Sequence, residues 1–159
     1  AVSRHVSSKT MSEHKAAIRW SRDGKDFTYK TYSRDHAWRL NGNDVPASAT
    51  PAYLGNPNRV DPEAAFVAAL SRCHMLTFLA LACNKGFVVE SYEDNAVGHL
   101  EKNAAGKMAV TRVDLHPKIA FGGTKTPAPA DLDWLHDNAH EECFIANSVT
   151  TDVRVTSDG

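Results

Sequence analysis

The sequence predicts one α+β domain built around a long buried helix, with the element order β-β-β-α-β-β-α-β. Three observations predict this class. Residues 61–86 hold a long apolar stretch with helix signals at both ends. The segments on either side are rich in β-branched and aromatic residues, which favour strands. A second, shorter helical segment follows the two prolines at positions 127 and 129.

The N-terminal third is predicted to form three strands and an irregular loop. Residues 14–20 and 26–33 flank an Asp-Gly dipeptide, which is typical of a tight hairpin turn. Residues 36–40 form the third candidate strand. Residues 45–60 contain three prolines and a glycine, so they are predicted to be a loop.

The central helix has well-defined ends. Asp61 suits the N-cap, Pro62 the first helical position and Glu63 the positive end of the helix dipole, while Gly86 is a common residue just beyond a C-terminus. The helix is apolar nearly all round, which predicts burial on most sides. Arg72 lies at its middle, where a charge is costly in lipid, so no membrane span is expected.

The C-terminal half is predicted to contain two long strands, a helix and a closing strand. The strands cover residues 87–102 and 107–121, the helix residues 130–144 and the last strand residues 150–156. The domain is expected to cover residues 12–157, with residues 1–11 a disordered extension.

Composition restricts the class of function. Eighteen basic and nineteen acidic residues give a net charge of −1, so nucleic-acid binding is not expected. The first residues lack the apolar core of a secretory signal, and three cysteines do not make a secreted disulfide framework. A cytoplasmic protein is therefore expected.

The cysteines are the first candidates for chemistry. Cys73 has polar neighbours inside an otherwise apolar helix. Cys83 lies ten helical residues further on, about 15 Å away, so an intrachain disulfide must use Cys143. Cys83 is predicted to be a packing residue. His74 points about 100° away from Cys73 on a helix, so a Cys73–His74 dyad is not expected.

Two segments resemble the OsmC/Ohr family. Residues 61–73, Asp-Pro-Glu-(x)9-Cys, resemble that family's Asn-Pro-Glu-(x)9-Cys segment, and Glu-Glu-Cys at residues 141–143, with the strand that follows, resembles its second-cysteine region. The resemblance runs over about residues 12–155. Two departures are Asp61 in place of Asn and Phe144 in place of the proline that usually follows the second cysteine.

The resemblance implies a cysteine-based peroxidase that reduces organic hydroperoxides. By it, Cys73 attacks the peroxide and becomes a sulfenic acid, Glu63 and an arginine form the polar cradle, and Cys143 closes a disulfide. The arginine is assigned to Arg34, with Arg39 as the second choice. The resemblance further implies an intertwined homodimer, an external dithiol reductant (lipoyl groups or small thiols), and no metal or other cofactor.

The helix geometry adds an expectation about assembly. Glu63 and Cys73 are about 15 Å apart on one continuous helix, too far to share a cradle. Glu63 is therefore expected to reach Cys73 of a partner chain. The apolar residues near Cys73, namely Phe66, Leu70, Leu76 and Phe78, are expected to favour organic hydroperoxides over hydrogen peroxide.

Two alternatives stay open. His136, His140 and Cys143 follow one helix face at metal-ligand spacing, with His74 or His116 as a fourth ligand, which would indicate a metal site. A family member that is catalytically weak and acts as a redox-sensing or binding module is the other alternative. No arrangement typical of a hydrolase is found in the sequence.

Overall fold

The computed structural model describes residues 11–156, which form two compact units that divide between Pro62 and Glu63. Except for Met11, the predicted N-terminal extension lies outside the described residues. The α+β class is confirmed. One domain over residues 12–157 stays a prediction.

The N-terminal unit contains a three-stranded antiparallel sheet in the order β1-β2-β3. Its strands are β1 (Ala17–Arg19), β2 (His36–Leu40) and β3 (Asn43–Ala47), and a short 3-10 helix follows at Pro51–Tyr53. The predicted strand over residues 36–40 is confirmed. β3 corrects the predicted loop over its first residues, where Pro46 lies on an edge strand that tolerates proline.

The predicted strand over residues 26–33 is wrong, because local hydrogen bonds fold this segment into a turn. The backbone N–H groups of Thr31 and Tyr32 donate to the Thr28 carbonyl, each at 3.0 Å. The Thr31 hydroxyl also donates to Asp26 Oδ2 at 3.1 Å. Such side-chain bonds compete with strand pairing. The aromatic residues pack on one another instead, with the Phe27 and Tyr32 ring centroids 5.0 Å apart.

The C-terminal unit is organised by the helix α1 (Pro62–Asn84), and its predicted bounds are confirmed. Gly86 follows the helix with φ +82°, a backbone conformation that glycine adopts without strain. The buried residues of α1 recur every fourth position and form one face of the helix: Leu70, His74, Phe78 and Ala82.

Four strands follow this helix where two were predicted, and together with the closing strand they form two sheets. The strands β4 (Val88–Asp94) and β7 (Pro117–Gly122) pair in an antiparallel ladder. The strands β5 (Val97–Lys102), β6 (Met108–Leu115) and β8 (Asp152–Val155) form the second sheet, in which β6 and β8 run parallel.

Each predicted long strand is therefore divided, the first after Asp94 and the second at His116. The two breaks are connected, because the His116 backbone N–H donates to Asp94 Oδ1 at 2.7 Å. The division lets the halves cover different parts of the core. One cluster centres on Phe78 and the other on Leu70.

The second helix is shorter than predicted. The helix α2 (Pro129–Glu141) ends before Cys143, and a separate short helix α3 (Phe144–Asn147) follows. The predicted closing strand corresponds to β8. The helices α1 and α2 run antiparallel. Just past the end of α1 the Lys85 ammonium lies 3.9 Å from the Trp134 ring centroid, near the start of α2. Earlier in α1, the ring centroid of Phe78 lies 4.7 Å from that of His136, further along α2.

One side of α1 is not covered by the residues that the structure describes. Its exposed residues follow a stripe on the side opposite the buried face: Ala64, Ala68, Arg72, Leu76 and Ala80. By length and composition alone α1 is apolar enough to cross a bilayer. Its Ser71 hydroxyl donates to Asp94 Oδ2 at 2.5 Å and its inner face packs against the core, so we assign it as the core helix of the domain.

Candidate active site

The structure brings Cys73 and Cys143 together at the contact between α1 and the end of α2. The Cys143 and Cys73 side chains are close enough to interact electrostatically. Cys143 is 1% exposed, whereas Cys73 is half-buried, and both are free thiols. Burial, followed by the interaction with the Cys73 side chain, raises the pKa of Cys143 to about 11. The greater exposure of Cys73, together with the raised pKa of Cys143, thus favours Cys73 as the thiol that meets an external oxidant.

Local backbone structure holds Cys143 in place. It is the N-cap of α3, where its sulfur accepts a hydrogen bond from the Ala146 N–H at 3.4 Å. Its own N–H donates to the His140 carbonyl at 3.3 Å, which ties it to the last turn of α2. Phe144 takes the first position of α3, a position that also suits proline, so the departure from the family pattern is compatible with this local geometry.

Cys83 is exposed, and the expectation that it packs in the core is wrong. It directly follows the fully buried Ala82 in the last turn of α1. Successive helical residues point about 100° apart, so Cys83 faces outward.

A buried pair of histidines lies beside the thiols and was missed as a unit by the sequence reasoning. His74 Nε2 and His136 Nδ1 are 3.1 Å apart, and the two side chains are 1% and 6% exposed. His74 thus engages α2 and not Cys73, in agreement with the expectation that there is no Cys73–His74 dyad. A signal for the burial of each histidine was present in the sequence, since each lies among apolar residues at helical spacing, but that spacing does not indicate their contact.

Burial keeps this pair neutral. It lowers the pKa of His74 to about 4, with further lowering by the nearby charges of His136 and His140. It also lowers the pKa of His136, against the opposing charges of Asp133 and Asp137. Within the described residues, His74 Nδ1 and His136 Nε2 are buried without a hydrogen-bond partner.

Glu63 lies at the start of α1, far from the Cys73 of its own chain. The helix is continuous between them, and ten residues at 1.5 Å each place their backbones about 15 Å apart. Glu63 Oε2 is buried and has no hydrogen-bond partner in the part of the chain that the structure describes. A buried carboxylate oxygen of this kind calls for a donor.

The two candidate arginines belong to the N-terminal unit. Arg34 donates from its two terminal nitrogens to the Tyr32 carbonyl at 2.6 Å and the Tyr29 carbonyl at 2.5 Å, and its guanidinium lies 3.6 Å from the Tyr32 ring centroid. Arg39 forms a long ion pair with Asp44 at 3.7 Å, with both side chains more than half exposed. Their catalytic role stays a prediction.

The metal-site alternative finds no support. Across residues 11–156, no three His, Cys, Asp or Glu side chains converge in a way that could hold an ion. The physical reason is that His136 turns into the core toward His74, while His140, one turn later, is exposed.

Comparisons with known proteins agree with this geometry. The family model described as OsmC-like protein matches residues 55–158. The structure of an OsmC-like protein of unknown function from Vibrio cholerae is 50% identical, covers 92% of this chain and 99% of its own, and superimposes with a TM-score of 0.88. No curated protein matches the chain.

More distant structures share the fold. An organic hydroperoxide resistance protein OsmC from Legionella pneumophila is 15% identical, covers 95% of this chain and 100% of its own, and has a TM-score of 0.70. An organic hydroperoxide resistance protein from Elizabethkingia anophelis is 16% identical, covers 94% of this chain and 96% of its own, and has a TM-score of 0.68. The family match and the high identity to the Vibrio cholerae protein together establish that the chain belongs to the OsmC-like protein family.

Proposed function

We propose that the protein is a thiol-dependent peroxidase that reduces organic hydroperoxides to alcohols. The observation that carries this proposal is the contact between the half-buried Cys73 thiol and the buried Cys143 thiol. Two thiols in contact form a disulfide readily once one of them is oxidised. The hydroperoxide resistance proteins among the distant relatives add support at the level of the fold.

The reaction needs only these two cysteines, a peroxide and a reductant. The Cys73 thiolate attacks one peroxide oxygen, the O–O bond breaks, and a proton converts the departing alkoxide to the alcohol. Cys73 is then a sulfenic acid. The sulfur of Cys143 attacks that of Cys73, and the hydroxyl group leaves as water with the proton from the Cys143 thiol. An external dithiol, either a lipoyl group or a small thiol, then reduces the disulfide.

The substrate class follows from the apolar surroundings of Cys73. Leu70 and Phe78 of α1 are fully buried and flank it along the helix, and Phe66 packs against the Leu70 cluster. Leu76, one turn from Cys73, is 56% exposed. The exposed Leu76 side chain, one turn from Cys73, offers an apolar surface that favours the hydrocarbon part of an organic hydroperoxide through the hydrophobic effect. We assign this activity to the cytoplasm, where dithiol reductants maintain cysteines in the reduced form.

Assembly as a homodimer accounts for two features that one chain leaves unexplained. The exposed stripe of α1 carries Leu76 and three alanines beside Arg72, in a helix that is otherwise largely apolar. Such a surface is typical of a protein interface. Glu63 lies about 15 Å along α1 from its own Cys73, so its carboxylate reaches a Cys73 site through the partner. A second copy that packs on the stripe buries these exposed residues and completes the shared site.

The test is peroxide consumption with a dithiol reductant, using cumene hydroperoxide and hydrogen peroxide in parallel. We expect turnover in the wild type, with cumene hydroperoxide preferred, and its complete loss in Cys73→Ser. Cys143→Ser retains one round of reduction and then accumulates over-oxidised Cys73. Cys83→Ser is the matched control and keeps full activity. Wild-type protein that consumes neither peroxide contradicts the proposal.

A redox-sensing role is the second candidate, favoured by the high pKa of Cys143. A thiol with a pKa of about 11 is almost entirely protonated at neutral pH, which slows its attack on the sulfenic acid. A sensor is distinguished from an enzyme by stoichiometry. It forms the Cys73–Cys143 disulfide once per chain with one equivalent of peroxide, without dithiol-driven turnover.

A further inference from the structure

We propose that the buried His74–His136 pair is a positioning element that holds Cys143 against Cys73 for disulfide formation. This inference rests on the proposed function, because it concerns the step in which Cys143 attacks the oxidised Cys73. It assigns a role to two buried histidines that the peroxidase chemistry itself does not use.

The pair lies between two other contacts that join α1 to α2. Cys73 meets Cys143 toward one end, and Lys85 lies 3.9 Å from the Trp134 ring centroid at the other. Between them, His74 and His136 are in hydrogen-bond contact at 3.1 Å. Hydrogen bonds are directional, whereas the apolar contacts of the Phe78 cluster tolerate sliding. The imidazole bond therefore fixes the register of α2 on α1, and with it the position of the turn that carries Cys143.

The energetics argue that the pair is not present for stability alone. Two neutral imidazoles carry two N–H groups, and the bond between them uses one. The other N–H, on His74 Nδ1 or His136 Nε2 depending on the tautomers, is buried without an acceptor among residues 11–156. Burying an unpaired donor is unfavourable, and apolar side chains of similar volume avoid that cost. A buried polar pair that fixes one arrangement of two helices is a known use of such groups.

The charged and titratable groups around the pair come from three elements. Cys73 precedes His74 on α1; Asp133, Asp137 and His140 flank His136 on α2. Tyr92 of β4 packs against Phe78, which in turn contacts His136. Because burial dominates over these groups and lowers the pKa of both imidazoles, both are neutral at neutral pH and the directional bond is present there.

The experiment isolates the Cys143 step without any peroxide. In a Cys83→Ser background, 2,2′-dithiodipyridine is attacked by the Cys73 thiolate, which gives a mixed disulfide and releases one pyridinethione. The Cys143 thiol then attacks Cys73 of that mixed disulfide, closes the protein disulfide and releases the second pyridinethione. The absorbance of pyridinethione thus reports two phases, one for each cysteine.

Two substitutions at position 136 separate the hydrogen bond from packing. His136→Leu keeps an apolar side chain of similar size, and we expect it to slow the second phase about tenfold while the first phase is unchanged. His136→Asn keeps a polar atom near the Nδ1 position and restores the second phase to within about twofold of the parent. His140→Asn, an exposed change one turn later, is the matched control and alters neither phase.

The outcomes decide the inference. A wild-type second phase in His136→Leu, or equal slowing in the Leu and Asn variants, overturns it, because either result leaves only packing. Where circular dichroism shows that His136→Leu is unfolded, the double variant His74→Gln, His136→Asn is measured, and loss of its second phase with the fold intact overturns the inference. The proposed function fails separately, if the wild type consumes no peroxide while its second phase still depends on the pair.

Discussion

The Cys143 thiol lies beside the Cys73 side chain, is 1% exposed and has a pKa that burial and Cys73 raise to about 11. The contact makes the two cysteines unequal, because one is accessible and the other is shielded and hard to ionise. Cys83 differs from both of these cysteines, because it is exposed. The three thiols of one chain should therefore differ in reactivity.

This inequality predicts the order in which alkylating reagents reach the cysteines. At pH 8, iodoacetamide should modify Cys83 first, then Cys73, while Cys143 stays unmodified for much longer because its thiolate is scarce at that pH. The Cys143 rate should rise as the pH approaches 11. Mass spectrometry of peptides at timed intervals measures the three rates. Early labelling of Cys143 in folded protein would contradict the burial and the raised pKa.

The histidine pair predicts how stability depends on pH. Because the folded-state pKa of His74 is about 4 and the unfolded value is 6.5, the unfolded chain binds a proton between these values that the folded chain does not. The contribution is complete above pH 6.5 and is lost as the pH falls toward 4, with a magnitude of about 3 kcal/mol at one pKa unit per 1.36 kcal/mol. The folded protein should therefore be less stable at pH 4.5 than at pH 7.

Thermal unfolding at a series of pH values measures this loss. The double variant His74→Gln, His136→Asn removes the titrating groups, so its melting temperature should fall less between pH 7 and pH 4.5 than that of the wild type. The carboxylates, common to both proteins, cancel in the comparison. His14→Asn, a change at an exposed histidine that does not contribute to the pKa shifts of the pair, serves as the control and follows the wild-type curve. Parallel curves for wild type and double variant would mean that the pair is not protonated on unfolding in this range.

Much of α1 was predictable because its signals are local. Asp61, Pro62 and Gly86 mark its ends through backbone preferences that act within one turn, and the predicted bounds agree with the structure. The division of the two long strands was not predictable from periodicity. It depends on the hydrogen bond between Asp94 and the His116 backbone, a tertiary contact between residues far apart in the sequence.

The candidate site was likewise predictable in its local features and not in its tertiary contacts. Cys73 and Cys143 were identified by their sequence context, but their contact requires α2 to end at Glu141, so that Cys143 leaves the helix before α3 begins. His74 and His136 each lie on an apolar helix face. Nothing in either face alone indicates that the two imidazoles meet across the α1–α2 contact.

The shared-site homodimer predicts complementation between two inactive subunits. Glu63→Ala and Cys73→Ser should each abolish turnover. A refolded equimolar mixture should recover about a quarter of wild-type activity, because half of the dimers are mixed and each mixed dimer has one intact site of two. Mixing without refolding is the control. An inactive refolded mixture, despite mixed dimers detected by mass spectrometry, would place Glu63 and Cys73 of one site on the same chain.

The exposed stripe of α1 predicts where this dimer is broken. Leu76→Glu replaces an exposed apolar side chain of the stripe with a carboxylate and should convert the protein to a monomer, because burying a charge at an interface is costly. Met108→Glu, at a 51% exposed strand residue outside α1, is the matched control and should leave the assembly unchanged. Light scattering after size-exclusion chromatography gives both masses. A Leu76→Glu protein with the wild-type mass would move the interface away from α1.

Phe144→Pro should be tolerated, even though proline is disruptive at most helical positions. Cys143 has φ −71° and ψ 110°, an extended conformation of the kind that a residue before proline prefers. Phe144 itself is the first residue of α3, where proline is well accommodated, and its ring is 78% exposed. The free energy of unfolding should change by no more than about 0.5 kcal/mol. The rate of Cys73–Cys143 disulfide formation should also stay close to that of the parent.

Ile145→Pro, one residue into α3 and partly buried against the Leu70 cluster, is the contrasting control and should slow that rate. A loss of disulfide formation in Phe144→Pro equal to that in Ile145→Pro would show that the phenylalanine ring, and not the backbone, sets the position of Cys143.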